Sequence, residues 1–404
     1  MPVRPIRGTI SIDEARELLF AAVTPITRTE SVALGNADSR VLAEPVVSRV
    51  DVPPFDRAAM DGYAVLAEDT FDATASAPRT LRCIESIYTG EVGASSLVPG
   101  TCVEIATGAP LPAGANAVVM VEQTERGPGD SVRVLTPVYP TQHVGRRASD
   151  ISAGQAILSP GDLLTPSRIG ALAAAGVMRV SVYARPRIAI LSTGNEIVEP
   201  GQPLQPGQIY DINRFTLAAV IDAHGGVAVP YPTVPDTIDN LTAAVSDTAG
   251  DDVLVFSGGS SVGERDLILD VIGSLGEVIF HGIAVKPGKP TALGRIGARL
   301  VLGMPGNPTS CLSNAYLLLV PMLRRMARLP ELRPQVVRVP LARRVVSTTG
   351  RHQFYTVRIE QGMAVPAFKG SGDITSMSQA DGYFEIPAQT DIVEAGEMVV
   401  VTLF

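Results

Sequence analysis

Lys286 and Lys289 stand three residues apart around Pro287 and Gly288. A Pro-Gly step does not sit inside a regular helix, so this segment reads as a turn. Such a turn can aim both ammonium groups at one anion; a solvated surface turn is the plainer alternative. Three other segments are rich in small donors: Ser192-Thr193-Gly194-Asn195-Glu196, the run Ser257-Gly258-Gly259-Ser260-Ser261 onward to Asp266, and Gly303-Met304-Pro305-Gly306-Asn307-Pro308. Glycine lets backbone N–H groups approach a phosphate, and a helix N-terminus adds partial positive charge. One such loop alone is an ordinary tight turn. Three together point to a ligand with more than one anionic group. Glu196, Asp236 and Asp266 accompany the loops. Carboxylates beside a phosphoanhydride suggest Mg²⁺, which prefers oxygen ligands. Each acid taken singly could be a helix cap, Asp266 most plainly. The segments contain neither a Walker P-loop nor a G-x-G-x-x-G fingerprint.

These loops need elements to hold them. The run 187–191 is continuously apolar, as in a buried parallel strand. Helical patterns at 213–223, 237–246, 266–275 and 309–327 alternate with apolar runs at 227–229, 253–256, 278–280, 291–293 and 300–302. That alternation predicts an open α/β sheet with helices on both faces over 185–330. The glycine and serine loops then follow strands, where ligands bind in such sheets. Between 50 and 148 short β-like runs are broken by Gly and Pro, which reads as a small β-rich inserted domain. It splits a first domain into 1–49 and 149–184, with Ser11 and Glu14 forming a capping box before a helix at 12–23. Beyond Pro330 the pattern returns to strands, and 331–404 is expected to be a small barrel-like β domain. The fold class is therefore multidomain α/β plus β.

Composition sets the bounds. The 404 residues are 46% hydrophobic and 18% charged, which is globular and too long for one ordinary domain. A net charge of −8 argues against general nucleic-acid or anionic-membrane binding, although a local basic cluster can still dominate one cleft. Cys83, Cys102 and Cys311 form no C-x-x-C pair and read as free thiols of a reducing compartment. The four histidines have no metal-ligand spacing. The N-terminus lacks an apolar signal region, and no stretch is long and apolar enough to span a bilayer. A cytoplasmic protein is expected.

Two further segments stand out, PPFDRAAMDGYAV at 53–65 and IATGAPLPAG at 105–114. By composition alone both could be turns. With STGNEIVEPGQPLQPGQIYDINR at 192–214, SGGSSVGERD at 257–266, VKPGKP at 285–290 and GMPGNPTS at 303–310, they make an ordered set. This set resembles the molybdopterin molybdenumtransferases, a family that includes the C-terminal domain of gephyrin. The resemblance implies insertion of molybdate into the dithiolene of adenylylated molybdopterin, with Mg²⁺-dependent release of AMP. It also implies a homodimer of four-domain chains, with an elongated N-terminal domain and the active cleft between subunits. The upstream adenylyltransferase and downstream molybdoenzymes are implied as further partners.

Matched residue by residue, the family's functional carboxylates and hydroxyl fall at Asp61, Thr107, Asp150, Glu196, Asp236 and Asp266. Asp61, Glu196 and Asp266 are the expected metal ligands. The anion-site lysines fall at Lys286 and Lys289, the ligand-facing prolines at Pro305 and Pro308, and a serine of the molybdate site at Ser371. Three positions depart from the family pattern: Ala58 stands where Ser is common, Gly282 where Lys is common, and Thr356 where Arg is common. Arg358 is the expected substitute for the last. Two alternatives are carried: a molybdopterin adenylyltransferase, and a catalytically silent molybdopterin-binding or scaffold paralogue.

Overall fold

The computed structural model describes residues 8–258 and 267–404. The chain divides into two compact units. One comprises Met1–Glu30, Ser39–Val41 and Tyr183–Phe404; the other comprises Ser31–Asp38 and Leu42–Val182.

The larger unit is built on a six-stranded sheet. Its elements in chain order are β1 (Arg187–Ser192), α1 (Asn213–Ala223), β2 (Val227–Pro230), α2 (Ile238–Asp247), β3 (Val253–Ser257), α3 (Leu267–Leu275), β4 (Glu277–His281), β5 (Ala292–Ile296), β6 (Arg299–Met304) and α4 (Pro308–Asn314). The spatial order is β2-β1-β3-β6-β5-β4. The first four strands are parallel, while β5 is reversed and pairs antiparallel with both β6 and the edge strand β4. The sheet is thus mixed, and its topology is parallel only where the strands alternate with helices.

The apolar run of β1 now has its explanation. Ile188 and Ile190 point to one face, where they pack with Leu217 and Ile221 of α1. Ala189 and Leu191 point to the other, against Leu241 of α2 and Val271 and Ile272 of α3. A strand covered on both faces has no solvent side to keep polar. Each such buried side chain contributes roughly 1.5–3 kcal/mol.

After α4 the same helical rod continues as a π-helical segment (Ala315–Leu319) and a further α-helix (Val320–Met326). Pro321 cannot donate a backbone hydrogen bond, and the widened turn lies directly before it. The helix Ile12–Ala22 also belongs to this unit. Ser11 Oγ accepts from Glu14 N at 3.1 Å, and Ile12, Ala15 and Leu19 join the cluster on the α1 face.

The C-terminal strands of this unit form a second sheet. His352–Glu360 pairs antiparallel with Met363–Pro366 and with Gly382–Ile386, which leads through Met398–Leu403 to Val336–Pro340. A bridge between Leu341 and Ala364 links its two ends. The short strand Val285–Lys286 pairs in parallel with His352 and Gln353 of this sheet. The lysine turn follows β4 of the α/β sheet in the chain, and the short strand that opens it is seated on the C-terminal β structure. Its pairing partners lie more than 60 residues away, which local pattern does not reveal.

The other unit contains a six-stranded sheet ordered Ala117–Met120, Gly62–Val65, Thr101–Ile105, Arg79–Ile87, Ser131–Val134 and Thr124–Arg126. A separate cluster joins Leu34, Leu42 and Leu158 to Leu164 and Leu172 around the helix Pro166–Ala174. Among the described residues, no helix is long and apolar enough to cross a membrane.

Candidate active site

A cavity of 790 Å³ opens in the larger unit. Four segments of the α/β domain supply much of its wall: Ser192, Thr193 and Glu196 after β1, Asp211 and Asn213 before and at the start of α1, Ser257 and Gly258 at the end of β3, and Pro305–Pro308 between β6 and α4. The turn from Lys286 to Pro290 and the C-terminal residues Arg351, Phe368, Lys369, Gly370 and Ser371 complete it. The structure thus brings together Ser192, Thr193, Glu196, Gly258, Lys286, Lys289, Pro305, Gly306, Asn307, Pro308 and Ser371. Gly194 and Asp236 do not line it. Gly259, Ser260, Ser261 and Asp266 lie outside the described residues.

Two glycines hold the wall where a side chain would not fit. Gly258 has φ +105°, and a Cβ there would lie 2.3 Å from the Thr193 carbonyl oxygen. Gly288, between the two lysines, has φ +108°, and its Cβ would lie 2.3 Å from the Asn314 amide nitrogen. Asn314 donates to Gly288 O at 2.8 Å and to Thr291 Oγ1 at 2.6 Å, so the turn is anchored from below by a buried side chain.

The electrostatics of the cavity oppose those of the chain. Lys286, Lys289, Arg351 and Lys369 line it against Glu196 and Asp211. The chain has only three lysines among its 33 basic residues, and all three are in this wall. Lysine presents a compact charge with three rotatable donors, suited to a tetrahedral oxyanion, where arginine presents a planar fork. Lys286 Nζ donates to Thr348 Oγ1 at 2.7 Å and Lys369 Nζ to Thr375 Oγ1 at 3.1 Å, so each is steered by a neutral hydroxyl. Asn307 Nδ2 donates to Ser371 Oγ at 3.0 Å, which leaves the Ser371 hydroxyl hydrogen available to another acceptor.

Several buried polar atoms here have no hydrogen-bond partner among the described residues: Ser192 Oγ, Thr193 Oγ1, Asp211 Oδ2, Asn213 Oδ1 and Asp236 Oδ1. Burial pushes the Asp236 carboxyl up from the usual carboxylate range. The nearby Glu196 adds to this, and the Thr193 hydroxyl opposes it. Two carboxylates and a hydroxyl in one neighbourhood are an oxygen set suited to a hard cation. The described residues contain no group of three His, Cys, Asp or Glu that would cage a metal unaided.

The remaining acids lie in the other unit. Thr107 N donates to Asp61 Oδ1 at 2.6 Å, and this bond holds the exposed Asp61 carboxyl below the usual range. Asp61 and Thr107 are thus direct neighbours. Asp150 is exposed, and its backbone N–H donates to Val52 O at 3.0 Å. The cysteines are free, with Cys102 and Cys311 buried, and burial pushes the Cys102 thiol up to about 12.

Sequence reading missed Asp211, Asn213, Arg351 and Lys369. The last two lie in the C-terminal tail, close to the matched positions Thr356 and Ser371, but were given no role there. Arg358, the expected substitute at Thr356, pairs with Glu360 at 3.0 Å and does not line the cavity. Thr356 itself is fully buried.

Family models match along the chain in order: the MoeA N-terminal region (domain I and II) over residues 10–176, a "Probable molybdopterin binding domain" over 189–325, and the MoeA C-terminal region (domain IV) over 338–404. The chain is 36% identical over 389 residues to molybdopterin molybdenumtransferase 2 of Mycobacterium tuberculosis, covering 94% of this chain and 95% of that protein. The chain belongs to the molybdopterin molybdenumtransferase family. It is 32% identical to the molybdopterin molybdenumtransferase of Nostoc, covering 99% of this chain and 95% of that one. A crystal structure of the molybdopterin biosynthesis MoeA protein from Pyrococcus horikosii matches with a TM-score of 0.83 at 41% identity, covering 98% of this chain and 99% of that chain.

Proposed function

We propose that the cavity of the larger unit is where molybdopterin receives its molybdenum. The chain is a molybdenum-transferring enzyme of its family, and the reading of its site rests on one observation. In a chain of net charge −8, every lysine and one arginine line a single cavity beside unpartnered buried hydroxyls.

Lys286, Lys289 and Lys369 hold the molybdate oxyanion and the terminal phosphate of the pterin. Their charges offset the repulsion between two anions that must meet. Ser371, fixed by Asn307, donates its free hydroxyl hydrogen to an oxygen of the same anion. The Ser192 hydroxyl is free to donate to a phosphate oxygen, while the Thr193 hydroxyl lies beside the Asp236 carboxyl. Mg²⁺, when bound, neutralises charge on the phosphoanhydride as AMP leaves. Glu196 and Asp236 are the residues that would hold it, because Asp236 Oδ1 is buried without a partner beside Glu196. Asp61, Thr107 and Asp150 are assigned to the same reaction through their motifs, with Asp61 kept ionised by the Thr107 N–H. The division into four domains at 49, 148, 184 and 330, homodimerisation and a cytoplasmic location are part of this reading.

The test is AMP release from adenylylated molybdopterin with Mg²⁺, with and without molybdate. Molybdate-dependent release that falls sharply in Lys286→Ala supports the site. Tight pterin binding with no release of AMP would leave a silent binding protein instead.

A further inference from the structure

Three of the unpartnered atoms differ in kind from the hydroxyls. Serine and threonine hydroxyls can turn to donate or accept, but Asp211 Oδ2, Asn213 Oδ1 and Asp236 Oδ1 can only accept, and of these residues Asp211 and Asn213 line the cavity while Asp236 does not. Asp211 is 4% exposed and Asn213 7% exposed, and both line the cavity. The surrounding bonds fix their orientation. Asp211 Oδ1 accepts from Arg214 N at 3.0 Å, which leaves Oδ2 as the free oxygen. Asn213 Nδ2 donates to Gly306 O at 2.7 Å, which identifies the other amide atom as the oxygen. The Arg214 guanidinium pairs with Glu199 at 3.4 Å and does not serve Asp211. A carboxylate oxygen and an amide oxygen buried without donors are costly unless a ligand supplies them.

The neighbouring wall narrows the ligand. Ile209, Tyr210 and Ile212 line the same cavity with partly exposed apolar side chains. Apolar surface beside two acceptors, one of them charged, suits a flat heterocycle with adjacent N–H donors. It does not suit a polyol, whose hydroxyls also need donors. The 2-amino-4-oxopyrimidine ring of a pterin carries such an edge, with N3–H and the 2-amino group side by side. Adenine offers a donor next to an acceptor. We infer that Asp211 and Asn213 read the donor edge of the pterin ring, and so select the reacting half of the substrate over the nucleotide half. This rests on the cavity being the molybdopterin site.

The test compares 6-hydroxymethylpterin with 6-hydroxymethyllumazine, in which a carbonyl replaces the 2-amino group. Both are titrated into the full chain by ligand fluorescence, with AMP as a third ligand. The native chain should prefer the pterin by roughly 10- to 100-fold, the range for a lost hydrogen bond to a charged group. In Asp211→Asn, the oxygen stays with Arg214 N and an NH₂ donor faces the ligand. The preference should disappear, while AMP affinity changes by less than about twofold, since the substitution removes a bond that AMP does not make. Equal binding of pterin and lumazine by the native chain would overturn the inference without any variant having to fold. Loss of AMP binding in Asp211→Asn would overturn it too, by assigning the acceptors to the nucleotide. AMP release from adenylylated molybdopterin is followed separately. Release without pterin preference leaves the transferase site standing and sinks the donor-edge assignment; preference without release does the reverse.

Discussion

The two ends of the α/β sheet are built from the same strands and treat polar groups in opposite ways. At the amino end, Asp251 accepts from Arg187 Nε at 3.0 Å and from the Tyr231 hydroxyl at 2.8 Å. Asp252 accepts from Arg28 and from Arg187 N, and Arg299 donates to Val245 O and Thr248 Oγ1. At the carboxyl end, Ser192, Thr193, Asp211 and Asn213 each keep a buried atom without a partner. The charged groups named at the amino end are spent on folding. Those at the carboxyl end are held in reserve, which is where the free energy of ligand binding comes from.

The sharpest way to break this contrast is to remove one group from each end. Lys286→Ala should lower molybdate-dependent AMP release by about 10²–10³-fold, the range for a lost preorganised donor, with little change in thermal stability. A large fall in melting temperature would place Lys286 with the structural groups. At the opposite end, Asp251→Ala should destabilise the chain by roughly 1–3 kcal/mol, because it removes a buried acceptor from the Tyr231 hydroxyl and from Arg187, whose own side chain is half exposed. Urea unfolding measures this, and turnover at low temperature should stay near the native rate. If turnover collapses while stability holds, the two ends are not separate in function.

Gly288→Ala sits between these extremes. It forces a side chain against Asn314 at a positive φ, and strain of this kind costs of order 1–3 kcal/mol. Stability and molybdate affinity should fall together, since the same turn carries both lysines. An alanine variant with native molybdate affinity would show that the turn does not position them.

The smallest expected effect concerns pH. Glu385 accepts from His352 Nε2 at 2.5 Å, and this bond, aided by Arg16, holds its carboxyl below the usual glutamate range. Its contribution to stability is present above about pH 4.3, the unfolded value, and is lost as pH falls through the lowered folded value. Glu385→Gln should flatten that acid-side loss. Parallel acid-unfolding curves for the two chains would remove Glu385 from the paired class.

Much of the fold was legible because local chemistry matched tertiary context. The helix at 213–223 follows the expected bounds, and the apolar run 187–191 proved to be the doubly covered β1. The cavity lysines Lys286 and Lys289 were visible because Pro287 and Gly288 exclude helix. Asp211 and Asn213 lay inside a quoted motif yet gave no chemical signal, since an Asp before a helix reads equally as a cap. Indeed one Asp211 oxygen does cap, accepting from Arg214 N. Only the other oxygen is unsatisfied, and no sequence pattern distinguishes two oxygens of one carboxylate.

The sequence by itself determined the elements, the loops rich in glycine and serine, and the family, because periodicity and short-range turn chemistry are local properties. The tertiary structure decided which charges share a cavity. Lys369 is 80 residues from Lys289, and both line one wall only because the C-terminal sheet pairs with Val285–Lys286. It also decided which polar atoms remain unpartnered. That depends on every neighbour within hydrogen-bond reach, and such neighbours are brought together by packing rather than by order along the chain.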